Sequence, residues 1–279
     1  MKKYLALFLT MAMSVGVLAG CGGGNEEPAA TDGADTAERT TFTVGFDAEY
    51  PPYGFKNDAG EYVGFDLDLA QEVCDRNGWE LIKQPIDWSS KDMELNSGTV
   101  DCLWNGFTMT GRESEYTFSE PYVDNSIVFV VRQDSDIQTK EDLAGKIVIT
   151  QAGSSALTAL TNTEDNDENL ALAATFASLE QTPDYNSAFM SLETGAVDAI
   201  AVDIGVAQYQ LTNHSDKFRQ LEEPLSTEQY AIAFKLGNEE LRDQVQATLD
   251  EMVADGTFDA IAANYADYNL DQMVCLGKK

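Results

Sequence analysis

From Thr41 onward, short apolar runs alternate with longer stretches whose apolar positions recur at helical spacing, which predicts repeated strand–helix units. Thr41–Phe46 is expected as a strand. Asp66 stands as the N-cap of a helix that turns Leu67, Leu69, Ala70, Val73 and Cys74 inward and stops at Gly78. Glu80–Ile86 follows as a strand, and Ser89-Ser90-Lys91-Asp92 fits a capping box for a helix ending at Gly98. Val100–Trp104 and the β-branched run Ile127–Val131 complete this series as strands.

The pattern then restarts. Lys146–Thr150 is a strand, Gly153-Ser154-Ser155 opens a helix, and Thr175–Ala177 is a short strand. Asp184–Glu193 is a helix ending near Gly195, Ala196–Val202 a strand, and a further helix follows. Tyr230–Phe234 is the last strand, before helices at Asn238–Ala254 and Phe258–Tyr265. Two such series argue for an α/β chain of two lobes, each a mainly parallel sheet flanked by helices. The closing strand and helices lack a series of their own, so they are expected to return to the first lobe. Lobe 1 would then hold residues 41–126 and 229–279, and lobe 2 residues 127–228. The chain crosses twice, near Asp124–Arg132 and Leu225–Tyr230, and two parallel crossover strands make a hinge suited to a closing cleft.

One window breaks the pattern. Residues 45–69 hold a carboxylate pair, Asp47 and Glu49, with Tyr50-Pro51-Pro52-Tyr53 directly after the first strand. Two prolines remove ladder donors and fix φ, so this segment reads as a stiff loop, where ligand sites usually lie. In open α/β sheets ligands bind at the carboxyl ends of the strands. Those ends carry Asp47 and Tyr50, then Trp88, then Asn105, Gly106, Thr108, Thr110 and Arg112, then Gln151, Ser154 and Ser155, and finally Asp203. The set suits a zwitterion. Arg112 can grip a carboxylate through a two-pronged, charge-assisted bond. Gly106, Thr108 and Thr110 offer backbone and hydroxyl donors to the same group, and Ser154 and Ser155 place donors at a helix start. Asp203 can accept from an ammonium, Tyr50 and Trp88 can flank a side chain, and Asp47 can meet its polar tip. Taken singly, each has a plainer role: Arg112 a surface ion pair, Asp203 and Ser154-Ser155 helix caps, Trp88 a core residue, Glu49 a solvated loop charge.

Several segments together resemble the extracellular solute-binding proteins that deliver polar amino acids to ABC transporters, family 3 type, in lipoprotein form. They are Asp47-Ala48-Glu49-Tyr50-Pro51-Pro52-Tyr53, Val63-Gly64-Phe65-Asp66-Leu67-Asp68-Leu69-Ala70, Met109-Thr110-Gly111-Arg112, Phe118-Ser119-Glu120-Pro121-Tyr122, Gln151-Ala152-Gly153-Ser154-Ser155 and Gly195-Ala196-Val197-Asp198-Ala199, with Gly256-Thr257-Phe258 near the C-terminus. The resemblance covers about residues 41–268 and implies the two-lobed, type II periplasmic-binding-protein fold. It also implies that Tyr50 and Trp88 clamp the ligand side chain, that Asn105, Gly106, Thr108, Arg112 and Ser155 bind an α-carboxylate, and that Asp203 binds an α-ammonium. The run from Thr110 to Arg112 is one residue shorter than in many members. Asn105-Gly106 replaces a small hydroxyl pair of some relatives, so its amide could touch the ligand side chain.

The N-terminus adds a location. Lys2 and Lys3 precede an apolar run, Tyr4 to Leu18, too short for a membrane span, which ends Leu18-Ala19-Gly20-Cys21. This resembles a bacterial lipobox, so residues 1–20 are expected as a lipoprotein signal peptide with Cys21 as the lipidation site. Residues 21–40 then form a flexible tether, a chain of this kind spanning about 24 Å. The expected location is the outer side of a bacterial cytoplasmic membrane, attached by the lipid.

Charge excludes some partners. Without residues 1–20 the chain carries 15 basic and 48 acidic side chains, a net of −33, which disfavours nucleic acid and anionic lipid. Cationic or neutral amino acids are favoured as ligands. Of four cysteines, Cys21, Cys74, Cys102 and Cys275, three remain after lipidation, so at most one disulfide forms. A single histidine, His214, and no Cys-x-x-Cys argue against a metal site, and no cofactor is expected. The reading is a monomeric binding protein, not an enzyme, that serves the transmembrane subunits of an ABC permease. The alternatives are a small dehydratase of similar fold, with Asp47 and Glu49 as acid and base, and an amino-acid sensory domain. A sensor of that type usually continues into a membrane span and a signalling domain, and the chain ends at Lys279 with neither.

Overall fold

The computed structural model describes residues 39–162 and 167–278. The expected signal peptide, lipidation site and most of the tether lie outside them. The chain enters at β1 (Thr41–Phe46), then forms a small antiparallel sheet of β2 (Glu49–Tyr50), β3 (Gly54–Lys56) and β4 (Tyr62–Val63). The Pro-rich loop is therefore braced by strands of its own. Next come α1 (Phe65–Asn77), β5 (Glu80–Pro85), α2 (Lys91–Ser97), β6 (Cys102–Leu103), β7 (Tyr116–Phe118) and the long β8 (Val123–Arg132). The second series is β9 (Ile147–Gln151), α3 (Ser155–Thr161), α4 (Asp167–Ala173), β10 (Ser178–Thr182), α5 (Tyr185–Glu193), β11 (Ala199–Asp203), α6 (Ile204–Asn213) and β12 (Phe218–Gln220). β13 (Ser226–Tyr230), β14 (Ala233–Lys235), α7 (Glu239–Asp255), α8 (Thr257–Ala263) and α9 (Leu270–Met273) follow.

Two lobes result, each built on a mixed sheet. In the first the strand order is β5-β1-β6-β14-β7, with β5, β1 and β6 parallel and β14 reversed. In the second it is β10-β9-β11-β8-β12, with β8 the reversed strand. Each reversed strand belongs to a segment that has just crossed between the lobes. β8 runs on out of the first lobe, and β14 follows the return through β13. The crossing segments pair antiparallel, Ser226 opposite Ile127 through Tyr230 opposite Val123, not parallel as their sequence suggests. A chain that goes out on one strand and returns on its neighbour must reverse direction.

β8 explains its own sequence. Val128 and Val130 pack into the large core cluster, while Ile127, Phe129 and Val131 pack into a second cluster on the opposite face. A strand covered on both faces has no position for alternating polar residues. β10 is the contrary case. It sits at the sheet edge with the half-exposed sequence Ser-Leu-Glu-Gln-Thr, so its apolar signal is weak, and the expected strand at Thr175–Ala177 lies in the turn just before it.

The first helix starts differently from the expectation. Its N-cap is Gly64, at φ 138°, and Asp66 lies inside the first turn, fully buried. Its Oδ2 accepts hydrogen bonds from the Gly106 amide at 2.6 Å and the Tyr122 hydroxyl at 2.8 Å. Asp66 thus ties α1 to the loop after β6 instead of capping. The Ser89–Asp92 box is also replaced: Asp87 caps a 3-10 turn over Trp88–Ser90, and Ser90 makes no side-chain cap bond for α2. A Cβ at Gly64 would stand 2.2 Å from the Tyr53 carbonyl oxygen, in a backbone region L residues rarely adopt. Gly64→Ala is expected to cost about 3 kcal/mol in chemical denaturation. A loss below about 1 kcal/mol would mean that the turn between Tyr53 and α1 is soft.

Candidate functional site

The strand ends of both lobes converge on a narrow crevice of about 10 Å³ lined by Tyr50, Trp88, Gly106, Thr108, Arg112, Gln151, Ser154, Ser155 and Asp203. Thr108, Arg112 and Ser155 also line a wider cavity beside it, about 490 Å³, whose wall includes Thr110, Glu113, Thr158 and Glu228. The crevice brings together residues from five separate strand ends. Asp47 and Asn105 stand behind it.

Arg112 lies in a turn between β6 and β7, not in a helix. Its guanidinium rests 5.1 Å from the centre of the Phe107 ring, a cation–π contact that aims it without neutralising it. Among the described residues it has no ion pair, so its fork is available to an anion.

Asp203 sits at the N-cap position of α6 but makes no side-chain cap bond. Instead its Oδ1 accepts from the Tyr230 hydroxyl at 2.5 Å and the Asn125 amide at 2.9 Å. It is fully buried, and burial pushes its carboxyl up from the ordinary carboxylate range. Tyr50 and Tyr230 pair through their hydroxyls at 3.2 Å, so the aromatic wall is keyed to the same acid. Tyr50 also packs on Tyr53 and on Tyr185 of the second lobe, at 5.6 and 5.9 Å between ring centres. Trp88 is both core and wall: it meets Phe107 edge-on at 5.7 Å and lines the crevice.

Several expected donors are already engaged. The Gly106 amide donates to Asp66, so this residue serves the site by its size: a Cβ would stand 2.8 Å from the Tyr230 ring and 3.1 Å from Tyr50. Ser154 is the α3 N-cap, accepting from the Leu157 amide and donating to the Gln151 carbonyl. Thr110 accepts from the Gln229 amide at 3.1 Å, which fixes its oxygen and leaves its hydroxyl hydrogen to donate. Thr108 and Ser155 donate their hydroxyls to one oxygen of Glu228, at 2.7 and 3.1 Å.

The loop after β1 reaches across to the second lobe. Asp47 is buried, and its Oδ2 accepts from Gln151 Nε2 at 2.5 Å. Burial raises its pKa to about 6, against the lowering effect of that bond and of the Glu49 amide. Asn105 accepts from the Asp47 backbone amide at 2.7 Å and does not line the crevice, so it shapes the loop. Glu49 is exposed but accepts from Asn186 of α5, which makes it a contact between lobes.

Three residues that were not anticipated pack around the site, and of these Glu228 lines its wider cavity. Tyr53 is fully buried against the start of α6, where a Cβ on Gly205 would clash with its hydroxyl. Lys91 is buried, donates to the Gly153 carbonyl at 3.2 Å and lies 5.5 Å from the Trp88 ring centre. Glu228 lies on β13, where Ser226, Glu228 and Tyr230 share one face by strand alternation. Beginning that strand at Tyr230 hid the pattern. Among the described residues no cluster of His, Cys, Asp or Glu could hold a metal ion, no helix is long and apolar enough to cross a membrane, and Cys74, Cys102 and Cys275 are free thiols.

The chain is 30% identical over 276 residues to the L-cystine-binding protein TcyA of Bacillus subtilis, covering 95% of this chain and 97% of that protein. It is 30% identical over 273 residues to the ABC transporter glutamine-binding protein GlnH of the same organism, covering 94% and 96%. An ABC uptake transporter substrate-binding protein from Streptococcus pneumoniae, solved with bound histidine, superposes with a TM-score of 0.76 at 31% identity, covering 81% of this chain and 92% of that one. The model of the bacterial extracellular solute-binding proteins, family 3, matches residues 42–268. The chain belongs to that family.

Proposed function

We propose that this chain binds one amino acid in the cleft between its lobes, outside the membrane, and delivers it to the transmembrane subunits of an ABC permease. The observation that carries this reading is the convergence of an unpaired Arg112, a buried Asp203 and the aromatic walls Tyr50 and Trp88 on one crevice. Arg112 would take the α-carboxylate and Asp203 the α-ammonium. These groups come from both lobes, so a ligand that touches all of them favours the closed arrangement over an open one. Lobe 1 (residues 41–126 and 229–279) and lobe 2 (residues 127–228) would close about β8 and β13.

The ligand class follows from the acids. Asp47 would meet a side chain carrying a donor, which must first displace Gln151. Cationic or neutral polar amino acids fit, and the net charge of the chain disfavours acidic ones. Cys21 would carry the lipid that keeps the receptor at the membrane, working as a monomer on a short tether. No catalysis is proposed. Asp47 takes the Glu49 backbone amide, and the Glu49 carboxylate is exposed and turned to Asn186, so the two are not arranged as an acid–base pair.

The test is thermal-shift screening of the twenty amino acids and cystine on the folded chain. A ligand at a hundredfold excess over its dissociation constant is expected to raise Tm by about 5–10 °C. No shift with any of them would sink the proposal.

A further inference from the structure

Glu228 occupies a position that the amino-acid reading leaves unexplained. It belongs to β13, one of the two strands that connect the lobes, and it is half-buried among polar groups from several elements. One of its carboxylate oxygens, Oε1, accepts from Thr108 at 2.7 Å, Asn125 at 2.8 Å and Ser155 at 3.1 Å. Thr108 comes from the loop after β6, Ser155 from the start of α3 and Asn125 from β8. The same Asn125 amide nitrogen also donates to Asp203, at 2.9 Å, so one neutral amide separates the buried Asp203 carboxylate from the half-buried Glu228.

A hydroxyl has one hydrogen to donate. Thr108 and Ser155 each direct theirs at Glu228, yet these are two of the residues that would hold a ligand's α-carboxylate beside Arg112. A second carboxylate brought to those hydroxyls would lie against the first, and like charges at that separation repel strongly out of water. We propose, building on the amino-acid reading of this site, that the Glu228 carboxylate is an internal competitor for the ligand's carboxylate: it holds Thr108 and Ser155, and must release them or take up a proton for the amino acid to bind.

The surroundings make proton uptake the easier route. Burial, then the neighbouring Asp203, push the Glu228 carboxyl up to about 7, against the lowering effect of its three donors. The titratable and charged groups near it are Asp203, Tyr53, Tyr185 and Tyr230, with Tyr50 bonded to Tyr230 and with Arg112 and Glu113 on the wall of the shared cavity. Protonated, Glu228 becomes a donor and can turn its O–H toward a ligand carboxylate. Ionised, it can only repel one. Binding should then take up a proton near neutral pH, and affinity should fall as pH rises through 7.

The opposite role for the same residue predicts the opposite sign. If Glu228 joined Asp203 in holding the α-ammonium, the ligand's positive charge would favour its ionised form. Binding would then release a proton and strengthen as pH rises, so the two roles differ in sign.

The experiment is titration calorimetry of the folded chain with L-glutamine, L-histidine, L-arginine and L-cystine, at pH 6 and pH 8, in two buffers of different ionisation enthalpy. The proposal expects wild type to bind the best of these about tenfold more weakly at pH 8 than at pH 6, with net proton uptake. Glu228→Gln should bind at least as tightly at pH 8 as wild type at pH 6 and lose most of the pH dependence. Proton release, or tighter wild-type binding at pH 8, overturns the proposal without any variant. So does a Glu228→Gln protein that melts normally and binds tenfold more weakly at both pH values. If neither protein binds any of the four or any other of the twenty amino acids, the amino-acid reading itself falls and takes this inference with it.

Discussion

Replacing Arg112 with alanine is expected to weaken amino-acid binding by about two orders of magnitude while leaving the fold intact. The guanidinium has no ion pair among the described residues and is held only by the Phe107 ring, so no structural network is broken. Its loss leaves a bound carboxylate without its charged partner, a change of about 3 kcal/mol in binding. Arg112→Lys should recover only part of that, because an ammonium keeps the charge but not the planar fork. Asp203→Ala should lose binding to a similar degree. It should also cost stability, because Tyr230 and Asn125 lose an acceptor. The combination is diagnostic: normal melting with lost binding for Arg112→Ala, lowered melting with lost binding for Asp203→Ala. Wild-type affinity in both variants would remove these residues from the site.

The second large effect is on stability, which should fall as pH rises from 5 to 8. Asp66 is fully buried and, among the described residues, has no cation against it, and burial raises its pKa to about 7 despite the Tyr122 and Gly106 bonds. Asp47 is raised to about 6, Glu228 to about 7, and Asp203 is raised as well. An acid that is harder to ionise in the folded chain than in the unfolded one stabilises the fold while protonated. That stability is fully present below the unfolded value, near 4, and is lost as pH rises through the folded one. The window is therefore about pH 4 to 7, with the loss running upward. Asp66 alone should account for a change on the order of 4 kcal/mol across it. The pair of Asp255 with Arg76, which holds Asp255 down at about 2, acts with the opposite sign, but only at lower pH. Denaturant unfolding at pH 5 and pH 8 should show the protein clearly more stable at pH 5. Asp66→Asn, which keeps an acceptor for Tyr122 and Gly106, should remove much of the difference. Stability that is level or rises from pH 5 to 8 would contradict the burial of these acids.

Legibility in the sequence followed the chemistry of each element. β8 was plain because both its faces are covered and every position from Ile127 to Val131 is apolar. The stops at Gly78 and Gly98 were plain because each residue takes the left-handed conformation glycine accepts readily. Asp66 misled, since an aspartate ahead of an apolar helix looks the same whether it caps the helix or is buried to anchor a distant loop. The five strand ends of the site were readable because strand–helix alternation places them at one edge. What donors with distant partners were already doing there was not readable. The Gly106 amide is taken by Asp66, 40 residues away, and Gln151 reaches Asp47 across 104 and from the other lobe. Pairings at such separations leave no local pattern, whereas the Ser154 cap is local and was readable. Glu228 was missed for the same reason, because a hinge strand of mixed polar residues carries little burial signal.

The central claim is that the cleft holds one amino acid by its charged ends. Calorimetric titration of the folded chain with L-glutamine, L-histidine, L-arginine and L-cystine tests it most directly. Saturable binding of at least one of them at one molecule per chain is the result predicted. Its absence from the Arg112→Ala variant would tie that binding to this cleft. A wild-type protein that binds none of the four, nor any other of the twenty amino acids, would contradict the account.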